Sequence, residues 1–325
     1  MKRPPEGPLE PDTGGYRPKT FLFYPGYLII RPMKVRKAVI TAAGFGTRFL
    51  PITKSQPKEM LPLFDRPLIQ YAVEEAINSG IEQIVIVTAQ GKHAIEDYFD
   101  RSPALEALLE KKKETRLLKE IKRISNLCDI CYIRQKDQLG LGHAVLTTRD
   151  IVDNEPAAVL LPDDIIDSRI PVIKQMLQIY AKHDATVIAV EKVRKEDIHK
   201  YGVIKADKMS DRLYRVTDLV EKPPAEEAPS DLGIVGRYIL SPRIFDVLAR
   251  TQPGQNKEIQ LTDALKLLLK DEPIYAYEFE GRRFDAGTPL GWMEASVLLA
   301  LQHPVWGGEF KEYLRALNLD DPGQK

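Results

Sequence analysis

Lys37-Ala38-Val39-Ile40-Thr41-Ala42-Ala43-Gly44-Phe45-Gly46-Thr47-Arg48 is the stretch that decides the fold class of this chain. Lys37 to Ala43 reads as a short buried strand. It runs straight into Gly44-Phe45-Gly46-Thr47-Arg48, a turn that only small residues make so tightly. Downstream, Ile69, Ala72, Val73, Ala76 and Ile77 follow helical spacing, and Gly80 stands where a left-handed C-terminal residue belongs. Ile81 to Thr88 is β-branched and almost wholly apolar, as in a parallel strand covered on both faces. These segments make one β-α-β unit.

The alternation continues less cleanly. A charged amphipathic helix is expected around Leu105 to Ile124, a strand near Ile130 to Arg134, a helix from His143, a strand at Ala157 to Leu161 and a helix near Val172 to His183. After the strand Ala185 to Val190, strands outnumber helices until about Leu240, which points to a small antiparallel extension. Helices near Ile244 to Ala249, Leu261 to Lys270 and Leu290 to Leu301, with a strand at Ile274 to Phe279, close the chain. The fold class is therefore α/β, a doubly wound Rossmann-like mixed sheet.

Composition narrows the function classes. The chain has 325 residues, and its 47 Lys+Arg balance its 47 Asp+Glu. No global field draws nucleic acid or an anionic membrane, so a phosphate ligand must be held by local residues. Residues 1–32 are rich in Pro and Gly and lack sustained periodicity, so they read as a tail. The apolar run Phe21 to Ile30 is broken by Pro25-Gly26 and falls short of the roughly 20 residues that span a bilayer. Met33, just before a basic lead-in to the first strand, offers an alternative translation start. Cys128 and Cys131 spell C-x-x-C within what reads as a strand, where positions three apart face opposite sides, so neither a metal nor a redox role is expected. Two cysteines without a signal-peptide pattern suit a cytoplasmic protein.

Open α/β sheets bind ligands beyond the carboxyl ends of their strands. Beyond the first strand stand Gly44, Gly46, Thr47 and Arg48, followed by Lys54 and Pro57-Lys58-Glu59-Met60-Leu61-Pro62. The loop lacks the Gly-Lys-Ser/Thr of a Walker A loop, and Phe49 replaces the third glycine of the dinucleotide pattern, which argues against an NAD-dependent oxidoreductase. A polyphosphate needs N–H donors and cations: Arg48 can grip two oxygens and Lys58 can act as a point charge. A tight structural turn with solvated basic residues is the competing reading. Asp163 and Asp164 follow the strand Ala157 to Leu161, and Asp285 stands in Arg282-Arg283-Phe284-Asp285-Ala286-Gly287. Carboxylates so placed suit Mg²⁺, although each aspartate alone is equally well a cap or turn residue.

From about Lys34 to Leu301 the chain resembles bacterial UTP–glucose-1-phosphate uridylyltransferases, within the nucleoside-diphosphate-sugar pyrophosphorylase superfamily. The resemblance is carried, in order, by Ala42 to Arg48, Pro57 to Pro62, Arg134-Gln135 with Gly140 to Val145, Leu161 to Asp164, Tyr201-Gly202-Val203, Val220 to Pro223, Val235 to Tyr238 and Glu258 to Asp263. It implies residues 1–33 as a disordered N-terminal extension, 34–303 as the nucleotidyltransferase domain with its antiparallel extension on the sugar side, and 304–325 as a C-terminal tail. The substrates implied are UTP and glucose 1-phosphate, with Mg²⁺ as cofactor, no nucleic acid or membrane partner, and a homo-oligomer, dimer or tetramer. Ala43, Gly44, Gly46, Thr47, Glu59, Gln135 and Gly140 would bind the nucleotide, with the Gln135 amide reading uracil. Gly202, Glu221, Lys222 and Gly236 would bind the sugar phosphate, Asp163 and Asp285 the metal, and Arg48 and Lys58 would act in catalysis.

Two positions depart from the family pattern: Thr41 stands where proline is usual and Pro289 where lysine is common. Asp285-Ala286-Gly287-Thr288 also looks like the sugar-nucleotide thymidylyltransferases. The alternatives are thus a thymidylyltransferase, another sugar-nucleotide pyrophosphorylase, or a catalytically silent sugar-nucleotide sensor.

Overall fold

The computed structural model describes residues 33–254 and 257–317; the expected N-terminal tail and the Met33 start thus concern residues outside the described part, Met33 itself excepted. The elements run β1 (Lys37–Thr41), β2 (Pro62–Leu63), β3 (Arg66–Pro67), α1 (Leu68–Asn78), β4 (Gln83–Thr88), α2 (His93–Phe99), α3 (Pro103–Lys111), α4 (Thr115–Ser125), β5 (Asp129–Arg134), α5 (Leu141–Leu146), α6 (Arg149–Val152) and β6 (Ala157–Leu160). They continue with β7 (Asp164–Asp167), α7 (Val172–His183), β8 (Thr186–Lys192), β9 (Gly202–Lys208), β10 (Leu213–Glu221), β11 (Leu232–Leu240), α8 (Ile244–Arg250), α9 (Leu261–Leu268), β12 (Ile274–Glu278), β13 (Arg282–Asp285), α10 (Pro289–Gln302) and α11 (Gly307–Ala316).

Among the described residues, nine strands form one sheet in the order β5-β4-β1-β6-β11-β8-β12-β10-β9. The β5-β4-β1-β6 half is parallel, and β11 enters antiparallel between β6 and β8. This is the expected doubly wound mixed sheet. The antiparallel extension is present as β9 and β10, joined to the same sheet through β12. Side chains alternate across each strand. Val39, Val85 and Val87 enter one core with α5, α8 and α9, whereas Ala38, Ile40, Ile84 and Ile86 enter a second with α1, α2 and α7. Burial on both faces is why these strands read as unbroken apolar runs.

Three expectations are corrected. The single helix expected over Leu105 to Ile124 is two helices, α3 and α4, separated by a reversal in which Lys113 takes φ +58°. The polar stretch Glu110 to Arg116 that contains the break holds no Gly or Pro, so no local signal marked it. A two-stranded antiparallel ribbon, β7 with β13, was not anticipated, because four-residue strands have too few alternations to register. It packs through Ile165 and Phe284 into a third apolar cluster with Leu61, Leu63 and Ala295 of α10. Finally, residues 307–316 of the expected tail form helix α11, which follows α10 directly.

Candidate active site

Strand ends of the parallel half bring the site together. β1 delivers Ala42 to Arg48, β4 and β5 deliver Thr88 and Gln135, and β6 delivers Asp163. The Gln135 N–H donates to the Thr88 carbonyl at 2.9 Å, so the β5 exit is pinned beside β4. Pinning continues at the first loop, where the Ala42 N–H donates to Val87 O at 2.8 Å. Around Gly44 the loop is open: a Cβ built there meets nothing within 4 Å. Gly46 differs, having φ +69° and sitting against the Lys58 Cβ. It is the hinge by which the loop folds over the Lys58 turn, and Thr47 and Arg48 follow it in an exposed 3₁₀ turn.

Lys58, Glu59 and Met60 form another 3₁₀ turn. Three residues per turn send consecutive side chains in directions roughly 120° apart, so Lys58 and Glu59 part company. The Lys58 ammonium donates to Asp163 Oδ2 at 2.5 Å. Glu59, expected on the nucleotide, is instead turned inward: it is 1% exposed, and its Oε2 accepts from Lys92 Nζ at 2.7 Å. Glu59 Oε1 has no hydrogen-bond partner. Burial pushes the Glu59 carboxyl above the usual range and the Lys92 ammonium below its own, each opposed by the other's charge.

The acids of Asp163-Asp164 also separate, since Asp163 lies in the turn before β7 and Asp164 is the first residue of that strand. Asp164 is committed internally: Oδ1 accepts from Arg283 Nε at 2.5 Å and Oδ2 from the Gly236 N–H at 2.7 Å. Asp163 faces the cleft. Burial alone would raise its pKa, but the Lys58 charge and hydrogen bond hold it below the usual carboxylate range. Asp285, paired across the ribbon with Asp164, is pushed up by burial and by Asp164, with Arg283 opposing.

Asp163 and Asp285 converge over Gly287. A Cβ built on Gly287 would lie 2.7 Å from Asp163 Oδ2 and 3.0 Å from Asp285 Oδ1, so only glycine leaves the two carboxylates room to share that space. The Gly287 N–H donates to Asp285 Oδ1 at 3.1 Å, and Arg48 Nη1 reaches the Gly287 carbonyl at 3.4 Å. Arg48, Lys58, Asp163 and Asp285 thus meet around one glycine. Among the described residues, no three His, Cys, Asp or Glu side chains group as a metal cage. Two hard oxygens at one point nevertheless suit Mg²⁺, which takes few carboxylates and completes its shell with water and phosphate oxygens.

At the uracil side expected from the sequence, Gln135 is 4% exposed, and its amide nitrogen faces Gly140 O at 3.1 Å and His143 Nδ1 at 2.9 Å. Gly140 has φ +93°, and a Cβ there would come within 2.8 Å of Glu258 Cβ. Sequence reasoning missed Gln138, whose side-chain amide donates to Ala43 O at 3.0 Å and ties this segment to the glycine loop. It lies outside the recognised motif, so no signal pointed to it.

Gly202 pairs with Glu221 across β9 and β10, and a Cβ on it would meet Thr262 Oγ1 at 2.8 Å and Glu221 Oε2 at 3.2 Å. Lys222 adopts φ +45°, a strained conformation for lysine, while its N–H donates to Tyr201 O at 3.0 Å. Lys222 Nζ lies 3.2 Å from Glu221 Oε1. Asp263, the last residue of the Glu258 to Asp263 motif, to which no role was given, stands near this group, with its carboxyl pushed up by burial and by Glu221. Gly236, expected beside the sugar, is packed tightly on its Cα side: a Cβ on it would fall within 2.5 Å of Leu161 Cβ and closer still to Asp164 Oδ2. Its need for glycine comes from Asp164 packing on its Cα.

The departures at Thr41 and Pro289 have local accounts. Thr41 ends β1, paired with Val87, as any extended residue could. Pro289 occupies the first turn of α10, where a missing N–H costs nothing, and Thr288 caps the helix by accepting from the Gly291 N–H. Cys128 and Cys131 are free, and burial with the Asp129 charge pushes the Cys128 thiol up to about 11, away from redox reactivity. Among the described residues, no helix is long and apolar enough to cross a membrane.

Residues 37–302 match the nucleotidyl transferase family model. The chain is 47% identical over 286 residues to UTP–glucose-1-phosphate uridylyltransferase 1 of Staphylococcus saprophyticus, covering 88% of this chain and all of that relative. It is 51% identical over 269 residues to UTP–glucose-1-phosphate uridylyltransferase of Bacillus subtilis, covering 83% of this chain and 92% of that one. Among solved structures it is similar to a UDP-glucose pyrophosphorylase complexed with UDP-glucose, with a TM-score of 0.77 and 46% identity over 83% of this chain and all of the other.

Proposed function

The chain belongs to the nucleotidyl transferase family, and from that premise we propose that its cleft transfers the uridylyl group of UTP to glucose 1-phosphate, yielding UDP-glucose and pyrophosphate. One observation carries the assignment of roles: two cations and two carboxylates, Arg48, Lys58, Asp163 and Asp285, gather around Gly287 at the carboxyl edge of the sheet. Identity with the named uridylyltransferases over nearly their whole length favours UTP over dTTP and a working enzyme over a silent sensor.

The sugar phosphate has a second pKa near 6, so at neutral pH its oxygen is already anionic and no general base is needed. That oxygen attacks the α-phosphorus of UTP in line, a new P–O bond forms, and the bond to the β-phosphate breaks. Asp163 and Asp285 would hold Mg²⁺, whose charge would help neutralise the α-phosphate. Arg48 and Lys58 meet the charge that develops on the departing pyrophosphate. The Ala43 and Gly44 backbone, Gln135 and Gly140 hold uracil, while Gly202, Glu221 and Lys222 hold the glucose phosphate. The homo-oligomer implied by the resemblance would find an apolar stripe on α10, where Leu290, Met293 and Val297 are 65%, 49% and 39% exposed.

Pyrophosphate release from UTP, dTTP, ATP, GTP and CTP with glucose 1-phosphate tests the reading. Release is expected with UTP and Mg²⁺ and is expected to stop on chelation; a preference for dTTP, or no turnover with any pair, would overturn it. Because the space above Gly44 is open, Gly44→Ala is expected to change stability by no more than about 0.5 kcal/mol. The same methyl is expected to weaken UTP binding by roughly tenfold, about 1.4 kcal/mol. Thermal unfolding and calorimetric UTP titration check the two parts. Loss of stability with unchanged affinity would return the loop to a purely structural turn.

A further inference from the structure

Arg283 stands two residues before Asp285 in β13, on the same face of the ribbon, and its side chain is only 8% exposed, with three groups claiming it. Its Nε donates to Asp164 Oδ1 at 2.5 Å, and its Nη1 donates to Glu191 Oε1 at 2.7 Å and to Tyr201 Oη at 3.2 Å. The guanidinium carbon also lies 5.2 Å from the Tyr201 ring centroid. These partners belong to different parts of the site. Asp164 adjoins Asp163 and opposes Asp285 across the ribbon. Glu191 is near the end of β8, and Tyr201 precedes Gly202 and accepts the Lys222 N–H.

From this arrangement we infer that Arg283 is a positioning residue, a clasp that holds the carboxylate-bearing ribbon in register with the Tyr201-Gly202 strand start, and so aligns the sugar phosphate with the nucleotide. The inference rests on the reading of the site given above. A planar guanidinium can serve Asp164, Glu191 and the Tyr201 hydroxyl together because its donors are fixed in a fork; an ammonium carries the same charge without that geometry. Without the clasp, the ribbon reaches the strand start by an indirect route, through Gly236 and Arg237 of β11, which bond Asp164, and the pairing of β11 with β9 at Gly233. Small misplacements of reacting groups are costly, of order 10²-fold for about 1 Å.

Arg283→Lys keeps the charge and removes the fork, while Tyr201→Phe removes a single hydroxyl and keeps the ring. Arg283→Lys is expected to lower kcat/KM for glucose 1-phosphate by roughly 10²-fold, and Tyr201→Phe by about tenfold, with the KM for UTP little changed in both. Calorimetry gives a readout apart from turnover: affinity for UDP-glucose should fall by more than affinity for UTP. A variant that loses affinity for both ligands by the same factor, or for neither, overturns the clasp. If Arg283→Lys fails to fold, Tyr201→Phe carries the same comparison. Wild-type protein that binds no UDP-glucose would overturn the functional reading itself, whereas wild-type binding with unselective variants would overturn only the clasp.

Discussion

Lys58→Ala is expected to lower kcat for UDP-glucose formation by about 10² to 10³ with a smaller change in KM, the size seen when a preorganised charge is removed from a developing anion. Lys58 has a second duty that the experiment must separate. Its ammonium is the charge that holds the Asp163 carboxyl low. A carboxylate with a depressed folded pKa contributes stability that is present above its unfolded pKa and is lost as pH falls through the folded value. Lys58→Ala removes that contribution, so the variant should lose less of its stability on acidification through the carboxylate range than the wild type. Its activity should fail at a higher pH than wild-type activity, because Asp163 then protonates more easily. Steady-state kinetics across pH, with unfolding measured at the same points, distinguishes these effects. A rise in KM alone, with kcat intact, would remove Lys58 from the transition state.

Lys92→Met is expected to destabilise the protein by about 3–5 kcal/mol, the cost of leaving a buried charge without its partner. The charge is Glu59, which is 1% exposed and already has one unpartnered oxygen. Replacing both members, Glu59→Leu with Lys92→Met, should recover most of the loss, because a buried pair is often matched by apolar groups of similar size. Urea unfolding of the two single variants and the double variant forms the cycle. Additive losses would mean that the 2.7 Å contact contributes no coupling. The pair sits directly behind Lys58, so the double variant also asks whether the Lys58 turn needs ions beneath it or only filled space.

The parallel half of the fold was legible because its strands are buried on both faces, and runs such as Ala38-Val39-Ile40 and Ile84-Val85-Ile86-Val87 leave no other reading. Arg48, Lys58 and Asp163 were legible by position, since each follows a strand that ends at the same edge of the sheet. The β7–β13 ribbon was not, because its pairing joins residues more than a hundred positions apart and its strands have four residues each. Without the ribbon, only the family resemblance separated Asp163 from Asp164, and nothing singled out Arg283.

By itself the amino-acid sequence determined the order of the main strands and helices of the nine-stranded sheet, the glycine loop, and the kinds of charged groups available to hold a triphosphate and a sugar phosphate. These follow from local periodicity and residue chemistry, which act over a few positions. Only the tertiary structure decided which of two adjacent side chains faces the ligand. Glu59 went inward while Lys58 stayed in the cleft, Gly236 received the Asp164 carboxylate, and Gly287 made room for two carboxylates. The direction of a side chain depends on what the rest of the chain packs against it, and that partner is set by long-range contacts no local pattern contains.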